Sequence, residues 1–183
     1  MDNTMGYSPL QGLVMSTRSG DLDPAVTLRL LERAGGDSGA VERLLNKRSG
    51  VLGMSGASAD IRDAFARAAK TPTPDTDITS QVYLWRIRKY LGAYLAVVGK
   101  ADAVIFTDTI GETVPVVRWT VCTDMEAFGL KIDADRNNSV TKYPADVAAD
   151  DSDVRILVIQ TNEELAIARR TYATLTHAAQ SAR

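Results

Sequence analysis

The chain has 183 residues, of which 45% are hydrophobic and 24% charged, with a formal net charge of −2. That is the make-up of an ordinary globular domain long enough for a full core, and it offers nucleic acid no electrostatic footprint. Cys122 is the only cysteine and His177 the only histidine, which excludes an intramolecular disulfide, fits a reducing cytoplasm and argues against imidazole chemistry carried by this chain alone.

The first residues lack the basic flank and apolar core of a signal peptide. Residues 4–17 read as extended structure broken at Gly6, Pro9 and Gly12, with Leu13, Val14 and Met15 the most strand-like part. Residues 17–24 follow as Thr-Arg-Ser-Gly-Asp-Leu-Asp-Pro. Ser19 and Gly20 keep this loop slim, so a ligand can approach the backbone. Asp23 can cap a helix, and Pro24 suits its first position, where no amide hydrogen bond is needed. Arg18 is then either a solvated loop arginine or a fixed, permanently charged fork shaped for a carboxylate or phosphate. The helix opening at Pro24 is apolar at Val26, Leu28, Leu30 and Leu31 and ends near Gly35 and Gly36. A second helix, over 39–47, carries Val41, Leu44 and Leu45 at helical spacing.

Residues 50–58 read as a glycine-serine loop, and a short helix from Ala59 buries Ile61, Ala64, Phe65 and Ala68. Residues 71–77 contain two prolines and read as an exposed loop. The longest helix, over about 79–98, places Leu84, Ile87, Leu91, Tyr94 and Val98 on one stripe and is expected to be buried on more than one side. Its most apolar part, residues 90–99, is far too short to cross a bilayer.

From there strands and helices alternate. Residues 103–107 are a short apolar run of the kind a buried parallel strand shows. A helix is expected from Pro115 to Phe128, then a brief strand over 130–133, then a polar irregular stretch over 135–151. Residues 154–160 are the clearest strand and 161–179 the clearest terminal helix. There is no internal repeat.

In open α/β sheets ligands collect at the carboxyl ends of strands. Asp108-Thr109-Ile110-Gly111-Glu112-Thr113 leaves one such strand, and Thr161-Asn162-Glu163-Glu164 leaves the other. Thr161 and Glu164 have capping-box spacing, with Glu163 left free beside them. Two acids at a helix N-terminus are also favourable with no ligand at all.

Residues 5–13, Met-Gly-Tyr-Ser-Pro-Leu-Gln-Gly-Leu, run almost directly into 15–24, and the whole closely resembles a signature stretch of the acetate kinase family. That family moves a phosphoryl group between ATP and acetate and shares the superfamily of sugar kinases, actin and heat-shock ATPases. The resemblance implies an α/β, ribonuclease H-like (actin-like ATPase) domain with a mixed sheet flanked by helices, incomplete at its N-terminal end. Residues 1–183 would form the nucleotide-binding C-terminal half, with the N-terminal domain absent. Arg18 matches the arginine that stabilises charge on the phosphoryl group in flight. Asp60-Ile61-Arg62 resembles the nucleotide-contacting Asp-x-Arg triplet; alone it is equally an ordinary helix N-terminus. Residues 161–169 match the terminal motif whose first glutamate, here Glu163, serves a Mg2+ (or Mn2+) site. Residues 86–94 resemble the long helix of the family and read as architecture. ATP and ADP are the implied ligands, a homodimer the implied assembly, and acetate or acetyl phosphate is implied only together with the N-terminal half. Propionate or another short-chain acid is an alternative substrate, and a non-catalytic dimerising remnant a further alternative.

Two departures qualify the likeness. The histidine- and asparagine-bearing phosphate loop of the family, and its acetate-site residues, lie outside this sequence, so the chain alone is expected to be inactive. Where the family reads Gly-Gly or Ala-Gly and then Ile-Gly-Glu-Asn, this chain has Asp108-Thr109-Ile110-Gly111-Glu112-Thr113. A β-branched Thr109 is expected to resist positive φ, and Asp108 to add negative charge beside a polyphosphate.

Overall fold

The computed structural model describes residues 2–70 and 74–181, without the side chains of residues 74–77 and 177–181. The chain divides into two compact units, Met1–Ala101 with Thr120–Asp124, and Asp102–Trp119 with Met125–Arg183.

The first unit is helical. Helix α1 (Pro24–Arg33) opens as its sequence dictates: Asp23 is extended, its carboxylate accepts the Ala25 amide, and Pro24 stands in the first turn. Helix α2 (Ser38–Lys47) is capped the same way, with Asp37 accepting the Ala40 amide. Each cap contributes about 1 kcal/mol. Helix α3 (Gly50–Ser55) fills most of the expected glycine-serine loop and stops at Gly56, where φ is 64°. Helix α4 (Ile61–Lys70) follows. Helix α5 (Pro74–Val98) begins ahead of the expected start at residue 79, so 74–77 are helical and not loop. Pro74 suits a first turn, which the loop reading overlooked. Residues 71–73, the rest of that expected loop, lie outside the described residues.

Val14, Val41, Leu45, Val51, Ile61, Ala64, Leu84 and Leu95 form the core of this unit. The larger of these contribute about 1.5–3 kcal/mol each. The expected apolar face of α1 is not buried, since α1 has no buried residue and Val26 and Leu28 are exposed. Helix α5 is likewise covered on one side only: Leu84 and Leu95 are buried, while Trp85, Val97 and Val98 are exposed. No strand forms at 13–15. The Met15 amide instead donates to the Arg18 carbonyl at 3.1 Å, and the Met15 carbonyl accepts from the Val51 amide at 2.9 Å. The segment closes on itself and on α3, so nothing is left to pair as a strand.

The second unit holds a three-stranded mixed sheet in the order β1-β3-β2, from β1 (Ala103–Phe106), β2 (Ala145–Asp146) and β3 (Arg155–Val158). Strands β1 and β3 run parallel, with Ala103 opposite Arg155 and Phe106 opposite Val158, and β2 pairs antiparallel to β3. Strand β1 is an edge, and its Ile105 is 54% exposed, so it is not the doubly covered strand its apolar run implied. The α/β class and the mixed sheet agree with the expected fold.

Around the strands come α6 (Asp108–Thr113), α7 (Pro115–Cys122, whose last turn groups with the first unit), α8 (Ala134–Asn138) and α9 (Glu163–Ser181). The helix expected through Phe128 breaks at Asp124, where φ is 54°, leaving a 3₁₀ turn at Glu126–Phe128. The strand expected at 130–133 reduces to isolated bridges, Leu130 with Val154 and Ile132 with Ala148. The stretch 135–151 is less irregular than its polarity implied, since most of α8 and all of β2 fall within it. Val117, Leu130, Val147, Ala148, Val154, Ile156 and Val158 are the buried apolar centre.

Candidate active site

The Arg18 loop is pinned from several directions. Backbone amides of Ser49 and Leu52 donate to the carbonyls of Thr17 (3.0 Å) and Ser16 (2.9 Å), and the Ser19 amide donates to Leu45 (3.1 Å). The Thr17 hydroxyl donates to the Asn46 carbonyl at 2.8 Å. Gly50, at φ +62°, makes the fit possible: a Cβ there would stand 2.2 Å from the Met15 carbonyl oxygen and 2.6 Å from that of Arg18. Against this fixed backbone the Arg18 side chain is half-buried, and its one hydrogen bond among the described residues is a weak one from Nη1 to Met15 Sδ at 3.8 Å. No carboxylate claims the guanidinium among the described residues. A held but unengaged fork is what an anionic ligand needs.

Helix α5 anchors the other end of the loop. Asp21 accepts the Gly12 amide at 2.8 Å through Oδ1 and the Tyr90 hydroxyl through Oδ2. Arg86 Nη1 donates to the Asp21 carbonyl at 3.2 Å and stands 3.7 Å from its carboxylate. Burial works against the Asp21 carboxylate, but the Tyr90 hydroxyl, the Gly12 amide and Arg86 together hold its pKa below the ordinary value. The same bond to Asp21, with burial, pushes the Tyr90 phenol up to about 12.

At the start of α4, the Asp60 carboxylate bonds within its own triplet. Its Oδ1 accepts the Arg62 amide at 2.9 Å and its Oδ2 accepts Arg62 Nη2 at 2.5 Å. The bond to Arg62 lowers the Asp60 pKa and raises that of Arg62. Ile61 is buried, so its side chain is core and only its backbone could meet a ligand. The triplet is thus both a helix N-terminus and a fixed, partly exposed ion pair.

In the second unit, residues 108–113 are a short helix where a loop was expected. Positive φ falls on Asp108, at 64°, and not on Thr109. The conformation that glycine would hold at no cost is carried by an aspartate, which tolerates it better than a β-branched residue. Thr113 donates its hydroxyl to the Thr109 carbonyl at 2.6 Å. Ile110 is half-buried, and Gly111 lies where a Cβ would come 3.4 Å from Phe106, so it serves close packing on β1. Beneath this helix the fully buried Arg118 donates to the carbonyls of Gly111 (2.7 Å) and Glu112 (2.8 Å) and to Asn137 Oδ1 (2.7 Å). Sequence reading missed this cradle, although a lone charge inside the apolar run Pro115–Cys122 was its signal.

Glu112 joins the two strand-end segments: its Oε1 accepts the Thr161 amide at 2.9 Å and the Thr161 hydroxyl at 3.4 Å. Thr161 is therefore engaged elsewhere and does not form the expected capping box. Asn162 caps α9 instead, accepting the Leu165 amide at 2.9 Å. Glu163, in the first turn, is exposed and has no hydrogen-bond or ionic partner among the described residues. No group of three or more metal-binding side chains exists among those residues. An unengaged single carboxylate fits Mg2+, which keeps several waters and bridges phosphate oxygens, and does not fit a cation that needs a protein cage.

Each unit thus carries its own candidate group: the fixed Arg18 loop in the first, and the strand-end turn with the exposed Glu163 carboxylate in the second. Residues 1–169 match the Acetokinase family, and the chain belongs to that family. It is 45% identical over 171 residues to the acetate kinase of Alkaliphilus metalliredigens, covering 93% of this chain and 43% of that protein. To the acetate kinase of Acetivibrio thermocellus it is 46% identical over 171 residues, covering 93% and 42%. The crystal structure of Porphyromonas gingivalis acetate kinase superposes with a TM-score of 0.85 at 38% identity, over 94% of this chain and 43% of that one. A propionate kinase from Francisella tularensis gives 0.78 at 34% identity, over 88% and 41%. The chain thus spans less than half the length of these relatives.

Proposed function

We propose that this chain is the nucleotide-binding half of a cytoplasmic, homodimeric acetate kinase, ATP and acetate giving ADP and acetyl phosphate. The observation that carries the reading is Arg18, a guanidinium without a carboxylate partner among the described residues, on an over-determined backbone. In the reaction an acetate oxygen forms a bond to the γ-phosphorus as the bond to the β–γ bridging oxygen breaks, and ADP leaves with that electron pair. No proton moves. Arg18 takes up the charge on the transferring oxygens, a role that needs position more than basicity. Asp60-Ile61-Arg62 contacts the nucleotide, as do Thr109, Ile110, Gly111 and Thr113, while the Glu112 carboxylate is committed to Thr161; Glu163 would hold a Mg2+ or Mn2+ ion. When bound, that ion neutralises the phosphate oxygens.

The test exchanges residues 1–169 into the matching span of a full-length acetate kinase and traps acyl phosphate with hydroxylamine, offering acetate and propionate in parallel. Acetate-dependent turnover, with a magnesium requirement raised by Glu163→Gln, supports the reading. Preference for propionate selects the second reading, for which the Francisella tularensis structure, less similar than the acetate kinase of Porphyromonas gingivalis, is the weaker support. Absence of turnover with both acids, in a folded exchange protein, would leave a non-catalytic, dimerising remnant.

A further inference from the structure

Glu112 is 8% exposed, yet its carboxylate reaches across 49 positions of sequence to Thr161. A buried carboxylate needs such a bond, because the desolvation of its charge must be offset. The partner is informative. Thr161 lies two positions before Glu163, and the strand preceding it is held level with β1 by the Ile159 amide, which donates to the Phe106 carbonyl at 3.0 Å. Between that bond and the first turn of α9, the hydrogen bonds of the connecting residues among the described residues are those of Thr161 with Glu112 and those of Asn162 with the amides of Leu165 and Ala166.

The backbone of Glu112 is itself held. Its carbonyl accepts from Arg118 Nη1 at 2.8 Å and from the Tyr143 hydroxyl at 3.3 Å. Asn137 completes the frame, with its carbonyl accepting Arg118 Nη2 at 2.9 Å and its Nδ2 donating to the Pro115 carbonyl at 3.0 Å. Arg118 and Asn137 are 0% and 1% exposed, so the frame cannot relax into solvent.

We infer that Glu112 is a positioning residue: held by Arg118, Asn137 and Tyr143, its carboxylate sets the direction of Thr161 and so of the Glu163 carboxylate. It acts on the metal of the nucleotide through Glu163 and does not touch the nucleotide itself. This rests on the nucleotide-and-magnesium reading above. Outer residues that orient a metal-holding group commonly govern affinity by tenfold or more.

The test uses the full 183-residue chain with ADP as probe, measuring by calorimetry the factor by which Mg2+ tightens binding. Glu112→Ala and Glu112→Asp should lower that factor about tenfold and leave metal-free ADP affinity unchanged. Glu112→Gln should recover most of it, because its amide oxygen still accepts the Thr161 amide. Hydrogen exchange at the Thr161 amide should be slow in the parent and Glu112→Gln and fast in the other two, provided that all keep their far-ultraviolet spectrum. An unchanged magnesium factor in Glu112→Ala, beside a lost one in Glu163→Gln, overturns the inference and leaves the nucleotide reading standing. A Glu112→Gln variant as poor as Glu112→Ala overturns it too, because the charge and not the acceptor would then matter. No effect of Glu163→Gln, or no ADP binding at all, removes the reading and the inference together.

Discussion

Arg18 and Asp108 are residues whose backbone does more than their side chains reveal. The Arg18 carbonyl is locked by Met15 and shielded by the absent side chain of Gly50, so the loop keeps its shape when the arginine is cut back. In the exchange enzyme Arg18→Ala should therefore lower turnover on the order of 10³-fold, about 4 kcal/mol of barrier, with little change in melting temperature. Arg18→Lys should recover little, since a point charge does not replace a planar fork. Turnover near the parent for Arg18→Ala would remove it from the mechanism. Asp108 holds φ at 64°, which costs most residues about 1–2 kcal/mol and a glycine nothing. Asp108→Gly should raise the melting temperature and strengthen ATP binding by removing one anion beside the phosphates. Calorimetry showing equal or weaker binding would separate Asp108 from the nucleotide.

The bond between helix α5 and the signature loop gives a pH signature at the scale of elements. Tyr90 has a folded pKa of about 12, above its ordinary 10.0. The stability contributed by its bond to Asp21 is fully present below pH 10 and is lost as pH rises towards 12. Asp21 is shifted the other way, so its contribution is present above its ordinary 3.8 and is lost as pH falls through its lower folded value. The stability difference between parent and Tyr90→Phe should thus be flat from about pH 5 to 9 and shrink at both ends. A flat difference up to pH 12 would mean that the bond is absent in solution. The long helix was legible in the sequence from its apolar stripe, and so was the cap at Asp23; the cap at Asp37 was not named, the second helix being expected only from residue 39. The anchoring of residues 12–21 by Arg86 and Tyr90 was not legible, because it depends on contacts distant in sequence. The same reason hid the Arg118 cradle and turned an expected Thr161 capping box into a Thr161–Glu112 bond. Local spacing predicts what a hydroxyl can do nearby and says nothing of a distant carboxylate that competes for it.

A polypeptide of this sequence spans 43% of the length of its acetate kinase relative from Alkaliphilus metalliredigens. Incubated by itself with ATP, Mg2+ and acetate, it should make no acetyl phosphate above background. On the proposed reading Arg18 and Glu163 would supply charge stabilisation, while holding acetate in line, worth several kcal/mol of barrier, would need further groups. Adding the remaining part of a relative as a separate polypeptide should restore some hydroxylamine-trapped product. Robust acetate-dependent turnover by the 183-residue chain would show that it holds an acetate site of its own. The family signature carried most of this reading in the sequence, since residues 5–24 and residues 161–169 are each one unbroken stretch. The division into two compact units was not legible, because α7 runs through the boundary without any break in its sequence.

Helix α9 shows none of its described side chains buried: Leu165, Ile167, Tyr172 and Leu175 are all more than 40% exposed. Without packing, a helix of 19 residues draws only on intrinsic propensity, which in water leaves it close to the helix–coil midpoint. Its ellipticity at 222 nm should accordingly grow with protein concentration, as one copy lends another an apolar surface, and fall on dilution. The folded fraction of α9 thus becomes a titratable quantity set by how crowded its own solution is.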